Sequence, residues 1–278
     1  MSRKITSAFS MIADYEGDIR NMFRETVNGE VPILPTRNLM MFPGIASPIL
    51  VGRESSRKLV DTISKKRSNN IIGVFCQKDV DTENPKINDL YEFGIYAKIV
   101  KVLEMPGQDD SVTVIIQGLG RCHLDSIKKH KPYLIGTVSE APEEIPDDDD
   151  KEYIAVVEDL HNSAVNYIRK NDDVPNDAVF ALKNIRNKIL LANFICENLT
   201  FDNEEKANLL SLSSIKERIF AVMRILNREI QLLDLKQNIR IKTHEDIDEQ
   251  QKEYFLQQQI KNIKEELGNG EASPERKE

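Results

Sequence analysis

Three observations predict an α+β protein in which a β-rich lobe precedes a set of helices. Most of the glycines and prolines lie between Gly29 and Pro146, and none lies between Pro175 and Gly268. Because these residues interrupt regular structure, the first half should consist of short elements joined by turns. Apolar residues alternate with polar ones in parts of the first half, whereas they recur at steps of three and four in the second half.

Six apolar runs in the first half have the length and composition of strands. In one of them Val112, Val114 and Ile116 alternate with other residues, which is typical of a strand that buries one face. The six runs are ASPILV, IIGVFCQ, YEFGIYAKIVKVL, SVTVIIQ, RCHLDSI and YLIGTVS. They predict a β-rich lobe over residues 31–140, preceded by an N-terminal extension at residues 1–30.

Local signals in this lobe predict one helix and two turns. Ser55 or Ser56 can accept hydrogen bonds from the first free amides of a helix. Its apolar stripe would be formed by Leu59, Val60 and Ile63. In the stretch FPGI, Pro43 presets φ and Gly44 accepts a positive φ, so a type II turn is predicted. The glycines of GLGRCH lack the context of a nucleotide-binding loop and indicate a turn between two strands.

The stretch APEEIPDDDDK contains two prolines and a run of acidic residues. Such a segment repels itself and extends, so residues 141–150 are interpreted as a linker. A cation site at Asp147–Asp150 is the alternative, but the stretch lacks the alternating ligands and the turn glycine of a calcium loop.

Residues 151–278 should form a helical bundle that ends in a long connecting helix. The apolar face of its first helix consists of Ile154, Val157, Leu160, Ala164 and Ile168. The stripe of the next helix consists of Leu182, Ile185, Ile189, Ala192, Cys196 and Leu199, widened by Phe180, Leu190 and Phe194. Asp202 with Glu205, and Ser214 with Glu217, are spaced as capping boxes. They predict a short helix from Asn203 and a longer one from Ile215.

The longer helix carries apolar residues at heptad spacing, as in a coiled coil. The seam runs through Leu212, Ile215, Ile219, Val222, Leu226, Ile230 and Leu233, and resumes at Leu256, Ile260, Ile263 and Leu267. If continuous to Leu267, this helix would be about 80 Å long. A helix of that length should bridge lobes, associate with another chain, or break at Thr243–Asp246.

Composition and motif searches exclude several classes of function. The net charge is −8 and the acidic excess follows residue 140, which argues against nucleic acid as a partner. No apolar run approaches the roughly 18 residues of a membrane span, and the N-terminus lacks a secretory signal, so a cytoplasmic protein without a membrane partner is expected. The three cysteines are widely spaced and should be buried thiols.

No catalytic, cofactor-binding or metal-binding motif is found in the sequence. It contains no Gly-Lys pair for a phosphate-binding loop, no serine nucleophile elbow and no paired metal-binding histidines. His123 and His161 are expected to be structural residues. The pattern therefore favours a binding or assembly module over a complete enzyme.

The ordered motifs of the chain resemble the N-terminal region of the ATP-dependent protease Lon, over Val31 to Gly268. In the first half they are Leu34-Pro35, Phe42-Pro43-Gly44, Pro48, Val51-Gly52-Arg53, Ser56, Gln77-Lys78, Asp89-Leu90-Tyr91, Gly94, Ala97-Lys98-Ile99, Gln117-Gly118 and Arg121. Further along, NREIQLLDLKQNIRIK and QQKEYFLQQQIKNIKEELG resemble the helix that joins this region to the family's motor.

The resemblance implies a PUA-like β lobe, or pseudo-barrel, a helical bundle and a role in binding unfolded or degron-bearing proteins. It also implies a homohexameric parent that is an ATP-dependent serine endopeptidase. The AAA+ module, which uses ATP and Mg²⁺, and the Ser-Lys protease domain of that parent would lie beyond Gly268. RNA binding is suggested by the PUA-like fold alone, against the acidic balance.

Two sets of residues are candidates for these roles. Met40, Met41 and Phe42 adjoin the predicted turn, where they either build the lobe or leave soft apolar surface for a client. The candidate assembly and coupling residues of the long helix are Tyr254, Phe255, Leu256, Ile260, Ile263 and Leu267. The alternative function is a structural oligomerisation element with little client binding of its own.

Overall fold

The computed structural model describes residues 11–12, 29–65, 70–104, 111–175, 177–199 and 201–268. The chain divides into two compact units, residues 1–227 and 228–278. A β-sheet region is followed by helices, the last of which is long, so the predicted succession of elements is confirmed. The PUA-like assignment and the domain boundaries at residues 30, 140 and 150 stay predictions.

Seven strands in the described part of the chain form one sheet. They are β1 (Met11–Ile12), β2 (Gly29–Thr36), β3 (Ile45–Val51), β4 (Ile71–Cys76), β5 (Phe93–Glu104), β6 (Val112–Lys129) and β7 (Ile135–Glu140). The order across the sheet is β1, β3, β6, β5, β4, β2, β7, and β7 also pairs with β6. This additional pairing closes β6, β5, β4, β2 and β7 into a ring.

Strand β6 organises the sheet because it has three neighbours. Its first part pairs with β3, from Val112 to Gln117, and its later part pairs with β7, from Cys122 to Lys129. Strand β5 pairs with it from Val112 to His123. All of these pairings are antiparallel, whereas β2 and β4 run parallel to each other.

The prediction of a turn at GLGRCH is wrong, because Gly118 and Gly120 lie within β6. A Cβ on Gly118 would lie 2.7 Å from the carbonyl oxygen of Phe42, and one on Gly120 would lie 2.4 Å from the Tyr96 hydroxyl. The glycines therefore permit close approach of neighbouring groups inside a strand. As a result, the two predicted strands on either side are one strand.

All five strands of the ring, or residues at their ends, contribute to one hydrophobic cluster. Its members are Val31, Ile33, Phe75, Leu90, Tyr96, Leu119, Cys122, Leu124, Leu134 and Val138. Helix α1 (Glu54–Ser64) packs against β2 and β5 and buries Leu59, Val60 and Ile63, as predicted. The predicted serine cap is wrong, since Arg53 is the N-cap residue, makes no side-chain cap bond, and Ser56 is buried.

The predicted type II turn at Phe42-Pro43-Gly44-Ile45 is confirmed. Gly44 has a φ of 82°, and the Ile45 amide donates to the Phe42 carbonyl at 3.4 Å. The Gly44 amide also donates to the Gly118 carbonyl at 3.0 Å, which fixes the turn on β6. The turn thus delivers the chain into β3 beside the glycine-containing part of β6.

Five helices follow the sheet in the described residues. They are α2 (Lys151–Lys170), α3 (Asp177–Asn184), α4 (Lys188–Asn198), α5 (Asn203–Ser211) and α6 (Ile215–Gly268). Asp150 caps α2 by accepting hydrogen bonds from the amides of Glu152 and Tyr153. A short 3₁₀-helix (Ile87–Asp89) precedes β5 within the sheet region.

Three expectations for these helices are wrong in detail. In α2, Tyr153 is buried and Ile154 is 40% exposed. The stripe from Phe180 to Leu199, predicted to lie on one helix, falls on two helices, because the Asn187 side chain caps a new one by accepting from the amides of Ile189 and Leu190. Phe180, expected in the apolar stripe, is 68% exposed.

The predicted starts of α5 and α6 are confirmed. The Asp202 carboxylate accepts from the Glu205 amide at 2.7 Å, and the Ser214 hydroxyl accepts from the Glu217 amide at 3.4 Å. The α6 residues buried in the first unit are Ile215, Ile219, Val222 and Leu226, together with Arg218. The helix is unbroken through residues 243–246, where a break was one of the predicted alternatives.

Replacing Gly118 by alanine tests the close approach of β6 to the turn. We expect Gly118→Ala to lower the free energy of unfolding by about 1–3 kcal/mol, because the new methyl group meets backbone that the turn hydrogen bonds hold. Gly52→Ala is the matched control, since its Cβ meets nothing within 4 Å. That variant should be unchanged or more stable by up to about 1 kcal/mol in urea unfolding. Equal stability of the two variants would contradict the expectation.

Candidate functional site

The candidate client-binding residues Met40, Met41 and Phe42 are buried. Their exposed fractions are 2%, 2% and 0%. The prediction that they leave apolar surface for a client is therefore wrong for the folded chain. Their side chains belong to the core, and the backbone beside them is held by helix α4.

Helix α4 holds this segment through two buried polar side chains. The Glu197 carboxylate accepts hydrogen bonds from the Phe42 amide at 2.8 Å and from the Ser47 hydroxyl. The Asn193 side-chain amide donates to the Pro43 carbonyl at 2.9 Å. Because α4 is buried on every side from Ile189 to Glu197, its polar side chains must find partners inside the protein.

Arg218 is fully buried and connects α6 to three other segments. Its Nη1 donates to Glu143 at 2.7 Å and to Asn193 at 2.8 Å. Its Nε donates to the Leu209 carbonyl at 3.0 Å, and its Nη2 donates to the Leu212 carbonyl at 2.8 Å. The planar guanidinium thus pairs with one oxygen of a buried carboxylate and donates to two carbonyls around the end of α5.

The acidic segment differs from the extended, self-repelling linker that the sequence predicts. The Glu143 side chain is 3% exposed and pairs with Arg218 and, at 3.6 Å, with Arg121. The Glu144 backbone bonds to Ser213 and Ile215 on either side of the start of α6. Two buried arginines therefore neutralise the start of this segment, and Asp150 at its end caps α2.

Arg121 extends this buried polar network towards β6. It donates to the Leu210 carbonyl at 2.7 Å and to the Pro142 carbonyl at 2.8 Å. The pKa of Arg121 is lowered to about 10, chiefly by burial and then by the positive charge of Arg218, while the negative charge of Glu143 opposes both effects. On α5, burial likewise lowers the pKa of Lys206, whose Nζ donates to the Glu197 carbonyl at 2.6 Å.

The three cysteines are buried thiols, as predicted. Burial raises the pKa of Cys196 to about 12 and also raises the pKa values of Cys76 and Cys122, so none is an activated nucleophile. Within the described ranges no group of three His, Cys, Asp or Glu side chains could hold a metal ion. None of the helices that the structure describes combines the length and hydropathy of a membrane span.

A groove of about 220 Å³ opens beside the 3₁₀-helix, and we call it the His123 groove. Its apolar lining residues are Leu90 and Leu124, which are buried, and Ile87, which is 37% exposed. Its polar side chains are those of Lys78, Asn88, Glu92 and His123. The sequence patterns did not indicate this groove, because its residues come from three separate segments.

Two neighbours, Asp125 and Phe93, orient the His123 imidazole, and Ser139 holds Asp125. Its Nδ1 lies 2.8 Å from an Asp125 carboxylate oxygen, which also accepts from the Ser139 hydroxyl at 2.9 Å. The Phe93 ring meets it edge-on at 5.3 Å between centroids. The hydrogen bond to His123 lowers the pKa of Asp125. Since the serine hydroxyl bonds to the carboxylate and not to the imidazole, the three residues do not form a nucleophile with its base.

The candidate assembly residues of α6 lie in the second unit and are exposed. Tyr254, Phe255, Leu256, Ile260 and Ile263 are between 53% and 66% exposed, whereas the Leu267 side chain lies outside the described residues. Every residue from Leu235 to Glu265 is exposed. Three of them, Leu256, Ile260 and Ile263, share one face of the helix, and exposed apolar residues grouped in this way are a feature of interaction surfaces.

Comparison with known proteins relates the chain to one protein family. Residues 30–228 match the family model of the ATP-dependent protease La (LON) substrate-binding domain. The chain is 44% identical over 244 residues to a Lon protease of Parabacteroides distasonis, covering 88% of this chain and 29% of that protein. It is 39% identical over 251 residues to a Lon protease of Flavobacterium johnsoniae, covering 90% and 30%. The chain therefore spans less than a third of these relatives.

A solved structure gives the same relationship at the level of the fold. The N-terminal domain of Mycobacterium avium complex Lon protease superposes with a TM-score of 0.55 at 18% identity. The match covers 73% of this chain and 98% of that domain. At this identity the likeness establishes the fold alone.

Removing the Arg218 side chain tests the buried polar network. Arg218→Ala leaves Glu143 without its closest cation and leaves two helix-end carbonyls unpaired. We expect it to lower the free energy of unfolding by about 3–5 kcal/mol, measured in urea. Arg228→Ala, on the same helix, removes a surface pair with Glu229 and should cost about 0–1 kcal/mol. A loss below about 1 kcal/mol for Arg218→Ala would show that the network does not hold the fold together.

Proposed function

The chain belongs to the family of Lon substrate-binding domains, and we propose that it recognises unfolded or degron-bearing proteins for ATP-dependent degradation. The family match over residues 30–228 carries this proposal. The matched residues include the closed ring of strands, helices α1 to α5 and the buried start of α6. Recognition would therefore be a property of the first unit.

The chemistry of the described residues supports a binding role. The His123–Asp125–Ser139 arrangement lacks a nucleophile–base pair, and the cysteines are buried. In the proposed parent, an ATP-dependent serine endopeptidase with a Ser-Lys dyad, ATP and Mg²⁺ would be used by other domains. We place this parent in the cytoplasm. The closed five-stranded ring supports a PUA-like description of the lobe.

A second function, assembly, is favoured by the exposed apolar side chains of α6. Leu256, Ile260 and Ile263 recur at steps of four and three, so they share one face of the helix. A second copy of the chain presents the same face, and pairing of two such faces would bury it from water. We propose that this contact contributes to a homohexamer of the parent.

Client binding is tested with one protein in two states. We expect the purified chain to bind reduced, carboxymethylated lactalbumin saturably and at least about tenfold more tightly than native lactalbumin, because only the unfolded form presents extended apolar segments. Fluorescence anisotropy of the labelled client measures both affinities. The same preparation should neither hydrolyse ATP nor cleave casein. Equal binding of the two states, no binding, or cleavage by clean material would refute the proposal.

Assembly is tested by adding charge to the apolar face of α6. Ile260→Lys with Ile263→Lys should abolish the self-association of the chain in sedimentation velocity, because burying two ammonium groups in the contact is unfavourable. Gln251→Lys with Gln258→Lys adds the same charge at other exposed positions and should leave self-association intact. The assembly role would be contradicted if the unsubstituted chain sediments as a monomer. It would also be contradicted if the two variants self-associate equally.

A further inference from the structure

Six exposed apolar side chains of the second unit lie on one heptad frame of α6. A heptad places its two inward positions, called a and d, at alternating steps of three and four residues. The first patch consists of Leu232 (a), Leu235 (d) and Ile239 (a), and the second patch, counted on in sevens, consists of Leu256 (d), Ile260 (a) and Ile263 (d). Their exposed fractions are between 44% and 55%. One register therefore runs through residues 232–263, about 47 Å of unbroken helix.

This frame differs from the one that α6 buries in the first unit. The buried frame passes through Ile219, Val222 and Leu226, and it is one residue out of step with the frame of the two patches. The two patches are therefore a separate face of the helix. Four other exposed apolar residues lie at neither inward position of the exposed frame, namely Ile241, Ile247, Tyr254 and Phe255.

Charged residues occupy the inward positions between the two patches. They are Lys242, Asp246, Glu249 and Glu253, and all four are exposed. Because α6 is unbroken, the two patches of one helix cannot meet each other. A partner that covers both must present two apolar patches about 25 Å apart, with charged residues between them. A second copy of α6 presents this pattern.

The charged residues distinguish the two directions in which a pair of copies can lie. In a parallel pair in register, each inward residue faces its own counterpart. Lys242 would then face Lys242, and each of the three acidic residues would face itself. All four of these charged pairs would repel, and charged residues at inward positions are known to determine how coiled-coil helices pair.

An antiparallel pair replaces half of this repulsion by attraction. With the two-fold axis between residues 247 and 248, Lys242 of each copy faces Glu253 of the other, and only Asp246 and Glu249 face a like charge. Every apolar residue then has an apolar partner, since the facing pairs are Leu232 with Ile263, Leu235 with Ile260 and Ile239 with Leu256. Shifting the pair by one heptad would place charged residues against apolar ones.

We infer that residues 232–263 of α6 pair with the same residues of a second copy as an antiparallel two-stranded coiled coil. The apolar patches cover one another, and the Lys242–Glu253 contacts set the direction. Such a contact uses the same surface on both copies and joins them about a two-fold axis. The inference rests on the proposed assembly role, to which it adds the direction and the register of the pairing.

Disulfide trapping measures the direction. Chains carrying Ile239→Cys are mixed with size-tagged chains carrying Leu256→Cys and are oxidised with oxidised glutathione. We expect the mixed disulfide to form at least about tenfold faster than either disulfide between like positions, because antiparallel pairing places like positions about 25 Å apart. The native cysteines are buried and should not compete. Faster linkage between like positions would show a parallel pair and overturn the inference, while the assembly role would stand.

A charge exchange tests the register independently. Glu253→Lys places two lysines face to face in the antiparallel pair, so it should raise the dissociation constant of self-association at least about tenfold in sedimentation experiments. Adding Lys242→Glu to that variant restores opposite charges and should bring the constant back to within about threefold of the unsubstituted chain. Gln251→Lys, an exposed position outside the frame, is the matched control and should change it less than about twofold.

The outcomes separate this inference from the functions it rests on. If the unsubstituted chain self-associates but Glu253→Lys has no effect, or the second substitution does not restore association, the antiparallel register is wrong and the assembly role stands. If the unsubstituted chain sediments as a monomer, the inference and the assembly role both fail. Client binding is proposed for the first unit and is measured separately, so none of these results decides it.

Discussion

The buried guanidinium of Arg218 is the interaction on which the first unit depends. A charge inside a protein must be paired and hydrogen-bonded, so Arg218 requires the acidic segment, helix α4 and the end of α5 to be in place together. Through Asn193 the same network reaches the Phe42-Pro43-Gly44 turn, and through Glu143 it reaches Arg121 on β6. The β lobe and the helices therefore share one buried polar network, in agreement with their membership of one compact unit.

This constraint separates the parts of the chain that build the fold from those that can bind. The segment around Met41 is polarisable and adaptable, but its backbone is bonded to α4 and its side chains are inside. Binding must instead use surface that the network leaves exposed. In the first unit that surface includes the groove between the 3₁₀-helix and β6, and in the second unit it includes apolar side chains of α6. Recognition and assembly are thus proposed for separate parts of the chain.

The sequence predicted those elements whose signals are local. The capping boxes located the starts of α5 and α6, and Pro43-Gly44 located the turn. Each of these signals depends only on residues that are close together in the sequence. Strand β2 was not among the predicted runs, since its prolines interrupt the pattern and its partners β4 and β7 are distant. The role of Gly118 depends on the Phe42 carbonyl, and that of Glu143 on Arg218. Neither contact leaves a periodic signal, and the His123 groove, assembled from three segments, leaves none either.

The pairing of β2 with β7 has a consequence for the folding of the domain during its synthesis. The two strands lie at opposite ends of the lobe in sequence, so a ribosome must release the chain past Glu140 before the second edge of β2 can be covered. Pairings between distant segments form slowly, and an uncovered strand edge attracts other extended chains. Until β7 has been made, the nascent lobe is incompletely folded, and unfolded chains are what we propose the finished domain recognises. Newly made copies are therefore themselves candidates for capture by finished ones.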